Sequence, residues 1–246
     1  MIPILTYHQI AEAPPKGTPF RSLCVAPRRF AAHMRWLKRL GWQGLNMTQL
    51  LPYLHGQQSG RVFGITFDDG YLNNLQHALP VLKALGFSAT CYLVHDALGQ
   101  TNQWDRELGI AQVPLMNEAQ VQEWVSSGME VGSHTLSHAH LAQLSADQAW
   151  SEIDQSKHQL EERLGLPIQH FCYPYGEWQA EHVQMAQRAG YLSATTTVRG
   201  RVAPQDSPWC LPRVPVHRST HLIQLIWKLM SRHEDQRGRR ALMATA

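Results

Sequence analysis

The sequence has 246 residues, 43% of them hydrophobic and 17% charged, with a formal net charge of +3. That profile fits one large α/β domain or two small ones and excludes a disordered chain. So small a positive charge gives no reason to expect nucleic-acid binding.

The four cysteines, Cys24, Cys91, Cys172 and Cys210, form no CxxC pair. They suggest neither a zinc finger nor a disulfide framework, and suit a reduced compartment. The opening MIPILTYHQI lacks a basic segment and a small-residue cleavage site. It reads as a first strand rather than a signal peptide. No apolar run approaches the roughly 20 residues that span a bilayer. The sequence-based expectation is a soluble cytoplasmic protein.

Short apolar or β-branched runs alternate with segments of helical period. In chain order the reading is a strand at 3–7, helices at 27–40 and 47–55, a strand at 62–67 and a helix at 73–85. A strand at 87–94, a helix at 117–127, a strand at 129–133 and a helix at 145–164 follow. The series closes with a strand at 169–173, a helix at 178–189, strands at 192–197 and 213–216, and a helix at 219–232. Asn117 with Gln120 three residues on has a capping-box pattern. Gly41, Gly86, Gly128, Gly165 and Gly190 each follow a helical segment, where a left-handed residue is expected.

Alternating strands and helices imply a parallel sheet with helical crossovers. About seven such units, without the GxGxxG of a dinucleotide fold, favour a distorted, TIM-like (β/α)7 barrel. The stretches 11–26 and 95–116 break the rhythm as long loops, which in such barrels shape the substrate site. With no repeat or linker, residues 1–246 form one domain. The stretch HLIQLIWKLMSRHEDQRGRR joins an apolar stripe to a basic tail. It either packs as the last barrel helix or associates weakly with an acidic membrane surface. Residues 234–246 are expected to form a flexible tail.

Fourteen histidines invite a search for metal ligands or proton carriers. Two segments stand out, each at the end of an expected strand, and in a parallel barrel all strands end on the face that carries the active site. In ITFDDG, residues 65–70, Asp68 and Asp69 can take different roles only if the strand ends there, since successive strand residues point to opposite sides. An Asp-Asp-Gly turn bonding its own backbone is the plain alternative. In SHTLSHAH, residues 133–140, His134 and His138 are four apart. On a helical turn both imidazoles would reach one ion. Two imidazoles and one carboxylate compose a catalytic zinc site with open positions.

TFDDG followed by SHTxxH resembles the first two motifs of the NodB-type polysaccharide deacetylases, carbohydrate esterase family 4. The likeness runs over most of the chain, from TYHQI through QWD and both metal motifs to FCYPYG and LPRVPVH. It implies a NodB homology domain with a distorted (β/α) barrel, and a divalent metal held by Asp, His and His. It also implies hydrolysis of acetamido groups on sugars. Residue by residue, it makes Asp69, His134 and His138 the ligands and Asp68 the catalytic base. Zinc suits that set, and cobalt or nickel would be accepted.

FCYPYG resembles the third motif, in which the N–H of the tyrosine after proline, here Tyr175, helps to hold the oxyanion. Where many members carry arginine two residues before that proline, this chain has Cys172. Arg213, opening the last strand, is the proposed replacement partner for Asp68. His217 at the end of that strand matches the family's general acid, with His8 as the substitute. Asn102, Trp104 and Asp105 sit where relatives carry a similar cluster, and Trp104 either stacks on a sugar ring or pins its loop. Tyr71, Trp178 and Trp209 default to packing.

The resemblance implies an N-deacetylase of N-acetylhexosamine in a glycan. The lack of a signal-like segment adds the expectation of a lipid-linked or other intracellular saccharide, met in the cytoplasm or peripherally at the inner membrane. A silent carbohydrate-binding barrel would have lost one of these four residues. An amidohydrolase of the same barrel acting on a non-sugar amide stays open. No obligate protein partner is implied.

Overall fold

The computed structural model describes residues 1–238. The chain begins with β1 (Ile4–Tyr7), β2 (Gln9–Ile10), β3 (Cys24–Val25), α1 (Pro27–Arg39), β4 (Gln43–Leu45) and α2 (Met47–Leu54). It continues with β5 (Val62–Phe67), α3 (Leu72–His77), α4 (Leu79–Leu85), β6 (Thr90–Leu93), α5 (Glu118–Ser126) and β7 (Glu130–Ser133). The last elements are α6 (Ala146–Leu164), β8 (His170–Cys172), α7 (Ala180–Arg188), β9 (Ser193–Arg199), β10 (Leu211–Pro215) and α8 (Leu222–Met230).

Seven parallel strands close on themselves in the order β1, β5, β6, β7, β8, β9, β10. The seam is sealed where β1 pairs with β10 on one side and β5 on the other. The expected (β/α)7 barrel is therefore the fold. Its distortion has a visible source in β4. The N–H groups of Gly64 and Asp68 face β1, donating to Pro3 and Tyr7 carbonyls. The other edge of β5 meets β4 over residues 62–64 and β6 from Thr66 onward. Ser88, just before β6, donates to the Gly44 carbonyl. β4 is thus a wedge between β5 and β6 at the end of the barrel away from their C-termini.

The strands are buried on both faces, as crossover helices require. Tyr7, Phe30, Phe67 and Trp124 form one aromatic cluster between barrel and helices, with edge-on contacts at 5.2 and 5.8 Å. Capping signals are realised: Asn117 and Gln120 bond reciprocally at the start of α5. The five glycines that follow helices all have φ between 62 and 87°.

Three expectations change. The single helix read over 73–85 is two, because Pro80 lacks an N–H and its ring crowds the carbonyl one turn back. The loop 11–26 contains β3, which pairs with β2. The tail expected from residue 234 starts later. Residues 233–238 are helical, and Glu234 and Asp235 are buried in ion pairs with Arg199 (2.8 Å) and Arg201 (2.7 Å). The rest of that expected tail, 239–246, lies outside the described residues.

Candidate active site

Because all seven barrel strands run the same way, their C-terminal ends meet on one rim. There β1 delivers His8, β5 delivers Asp68 and Asp69, β7 delivers His134, and β8 leads through Pro174 into Tyr175. These residues line one cleft of about 240 Å³, with Trp104, Asp105 and Tyr71 on its loop side.

β5 ends at Phe67, and Asp69 turns at φ 73°. The two carboxylates accordingly diverge. Asp68 turns into the barrel, where Arg213 from β10 grips it with two parallel bonds, Nη1 to Oδ1 at 2.7 Å and Nη2 to Oδ2 at 2.8 Å. The other guanidinium donors go to the Thr196 carbonyl (2.8 Å), Thr66 Oγ1 (3.1 Å) and Cys172 Sγ (3.2 Å). All five donors of this buried cation are thus paired. Burial alone would raise the Asp68 carboxyl, but Arg213 reverses that and holds it below the usual carboxylate range. The proposed replacement for the missing motif arginine is in place, and Cys172 packs against it.

Asp69 Oδ1 lies 3.4 Å from His134 Nε2 and 3.4 Å from His138 Nε2. One donor atom from each of the three buried residues falls within 4.8 Å of the others. His134 Nδ1 is 2.7 Å from the Cys172 carbonyl. A carbonyl can only accept, so Nδ1 carries a proton, and Nε2, which faces Asp69 and the cleft, is the atom that could ligate a cation. Two imidazoles and a carboxylate, one imidazole fixed by an outer hydrogen bond, suit a divalent cation.

His134 and His138 are not on a helical turn as the spacing suggested. They lie on a loop in which Thr135 (φ 69°) and His138 (φ 63°) are left-handed. Among the described residues, all five non-glycine residues with positive φ lie in or beside this site: Asp69, Thr135, His138 and Tyr175 in its turns and Phe20 on the cleft lining. Each such conformation costs on the order of 1–2 kcal/mol, and strain gathered at one place marks a site built for function. The loop is held from outside by Glu152 of α6. Its carboxylate accepts from the N–H groups of Leu136 (2.9 Å) and Ser137 (3.0 Å) and from the Ser137 hydroxyl (2.6 Å). No motif signals this grip, because Glu152 reads as an ordinary surface position on a helix.

Trp104 stacks on His138 with ring centres 4.4 Å apart, and Tyr175 meets the same imidazole edge-on at 4.6 Å. Trp104 thus pins its loop over a ligand-type histidine while still lining the cleft. Asn102 does not face the cleft. It is fully buried, and its side chain bonds Asp105 (2.9 Å), the Ala111 carbonyl (3.3 Å) and the Val113 N–H (2.7 Å). Burial pushes the Asp105 carboxyl up. It also pushes the Tyr175 hydroxyl up to about 12, so that phenol stays protonated. Beyond Tyr175, the His140 ring stacks on the tyrosine at 3.7 Å and reaches Glu177 at 3.1 Å.

The two histidines considered as acids part company. His8 lines the cleft with Nε2 3.9 Å from Asp68 Oδ2. His217 is absent from the residues lining the cleft. Burial, then the charges of Lys228 and Arg199, push its imidazole down to about 4. Phe20, Leu23, Ile110 and Thr197 are further lining residues. They come from loops and strand ends whose spacing carries no motif, so sequence reasoning missed them. Trp178 and Trp209 pack against the core as expected.

The family profile described as polysaccharide deacetylase matches residues 55–194, which include both aspartates, both histidines and Tyr175. The chain belongs to the polysaccharide deacetylase family. Members hydrolyse amide bonds. This deacetylase is 31% identical over 217 residues to YxkH of Bacillus subtilis, covering 87% of this chain and 71% of that protein. It is 23% identical over 231 residues to the poly-beta-1,6-N-acetyl-D-glucosamine N-deacetylase of Staphylococcus epidermidis, covering 86% of this chain and 78% of that protein. Among solved structures, the deacetylase PplD of Streptococcus pyogenes, in complex with acetate, superposes with a TM-score of 0.81. Identity is 26%, over 94% of this chain and 98% of that one. IcaB from Ammonifex degensii shares the fold at a TM-score of 0.78 and 24% identity, over 93% of this chain and 97% of that one.

Proposed function

We propose that this deacetylase removes acetyl groups from N-acetylhexosamine units of a glycan or lipid-linked saccharide, releasing acetate. Asp69, His134 and His138 would hold the metal, and Asp68 would act as base. One observation carries the reading: a carboxylate clamped by a buried arginine stands beside an Asp-His-His trio in a single cleft. The sugar class rests on the named substrates of relatives and on the aromatic cleft wall.

Zinc is the ion the donor set suits best, with cobalt and nickel tolerated. Once bound, such an ion acidifies water and polarises an amide carbonyl. Asp68 receives the proton. Arg213 takes one lone pair from each carboxylate oxygen, which leaves a second on each to accept from water. The same clamp keeps Asp68 ionised at neutral pH and fixes its direction. The Tyr175 N–H would donate to the oxyanion that forms on the acetyl oxygen.

The leaving amine needs a proton. His8 stands at the cleft beside Asp68, and it takes the acid role in place of His217. Trp104 and Tyr175 offer ring faces to the sugar, and Asp105 offers an acceptor for its hydroxyls.

The test is acetate release from a panel of N-acetylated oligosaccharides before and after chelation, with zinc, cobalt or nickel restored. The proposal expects release that disappears on chelation and returns with metal. Release unaffected by chelation would contradict the metal assignment, and no release from any saccharide would contradict the substrate class.

A further inference from the structure

The helix α8 has two unlike faces. Leu225 and Leu229 are buried in the core, and Lys228 is buried with Nζ 2.7 Å from the Pro215 carbonyl. On the other side Ile223, Trp227 and Met230, spaced i, i+4 and i+7, are 75%, 48% and 59% exposed. Scattered exposed apolar residues are ordinary, but three large ones in one stripe on one helix mark a surface that meets an apolar phase.

The charges around the stripe are one-sided. The acids that follow α8, Glu234 and Asp235, are buried against Arg199 and Arg201 and contribute no negative charge outside. Arg218 and Arg232, which flank the helix, are exposed. Its neighbour α1 packs against α8, and Arg29 donates to the Arg218 carbonyl at the approach to that helix. Neither α1 nor α8 contains an Asp or Glu. Arg35, Lys38 and Arg39 of α1 are exposed, and the Arg39 guanidinium lies 5.1 Å from the ring of Trp36, itself 43% exposed.

We propose that α8 and its neighbour α1 form a docking face for the surface of an anionic phospholipid membrane. The apolar stripe enters the boundary between headgroups and acyl chains, while the arginines meet lipid phosphates. No described helix is long and apolar enough to cross a membrane, so the contact is peripheral. Charge decides against a second copy as the occupant. A twofold interface sets the same patch against itself, and here that would bring cations against cations. The inference is independent of the deacetylase chemistry, because neither helix supplies a residue to the cleft.

The experiment is vesicle co-sedimentation of the intact protein. Vesicles of phosphatidylcholine alone are compared with equal parts of phosphatidylcholine and phosphatidylglycerol, at low and raised salt. The protein should sediment with the anionic vesicles only, and less at raised salt. Ile223→Ser with Trp227→Ser should lower partitioning at least roughly tenfold. Arg35→Gln and Arg39→Gln should each lower it about fivefold. Melting temperatures confirm that the variants are folded. Equal sedimentation with neutral vesicles, or none with either, would overturn the proposal. So would a concentration-dependent dimer that the Ile223→Ser, Trp227→Ser variant abolishes. None of these readouts involves acetate release, so this inference and the proposed deacetylation fail separately.

Discussion

Arg213 of β10 reaches across the barrel and binds both oxygens of Asp68, at 2.7 and 2.8 Å, with neither residue exposed to solvent. The two lie 145 positions apart in sequence, and only barrel closure brings them together. A buried ion pair of this kind is a device for holding a charge in one state and one direction, more than a source of stability.

Removing the arginine leaves that charge uncompensated. Arg213→Ala should cost about 3–5 kcal/mol of folding stability, read from chemical unfolding. Its effect on pH dependence has a definite sign. Arg213 holds the Asp68 carboxyl below its usual range, and a base works when deprotonated. Without Arg213 the carboxyl rises, so the acid limb of kcat/KM should move to higher pH. Arg213→Lys keeps the charge but loses the fork, and should shift the limb less while still lowering kcat.

His8 and His217 make opposite predictions. His8→Gln should lower kcat roughly 10²–10⁴-fold, the usual worth of a general acid, while His217→Gln should leave kcat near the native value at pH 7. The role of His217 shows instead in stability. Its folded pKa is near 4 against an ordinary 6.5. Between those values the unfolded chain binds a proton that the folded one does not, so stability is fully present above 6.5 and lost as pH falls toward 4. His217→Gln should therefore lose less melting temperature than the native protein on going from pH 7 to pH 5.

Glu152 touches neither substrate nor metal, yet it fixes the loop carrying both histidines. Glu152→Ala frees three charge-assisted donors and should cost roughly 1.5–3 kcal/mol. It should also weaken metal binding about 10–100-fold, as loss of an outer partner does. Competition with a chromogenic chelator measures this directly, and Glu152→Gln should recover part of the loss.

What the sequence made legible follows from physics that is local. Alternating strands and helices, the capping box at Asn117 and the glycines after helices announce themselves within a few residues, and they carry most of the barrel. The aspartate pair and the histidine pair are also local. Arg213 could be named because the family resemblance places an arginine where Cys172 stands, which left Asp68 without a partner. The failures share the opposite property. The wedge β4 is three residues long and exists because β5 and β6 diverge there. Asn102 belongs to its own loop because a fully buried amide must spend its hydrogen bonds nearby. Glu152 acts across space on a loop 16 residues away. Each of these is set by tertiary geometry that no short stretch of chain records.

The central claim is that Asp68 is the base beside a metal held by Asp69, His134 and His138. Bound metal and acetate release, measured together on the native protein and on Asp68→Asn, test it most directly. One divalent ion should be retained in both, with release in the variant reduced roughly 10²–10⁴-fold. A native protein that binds no divalent metal, or an Asp68→Asn variant that keeps full activity, would contradict it.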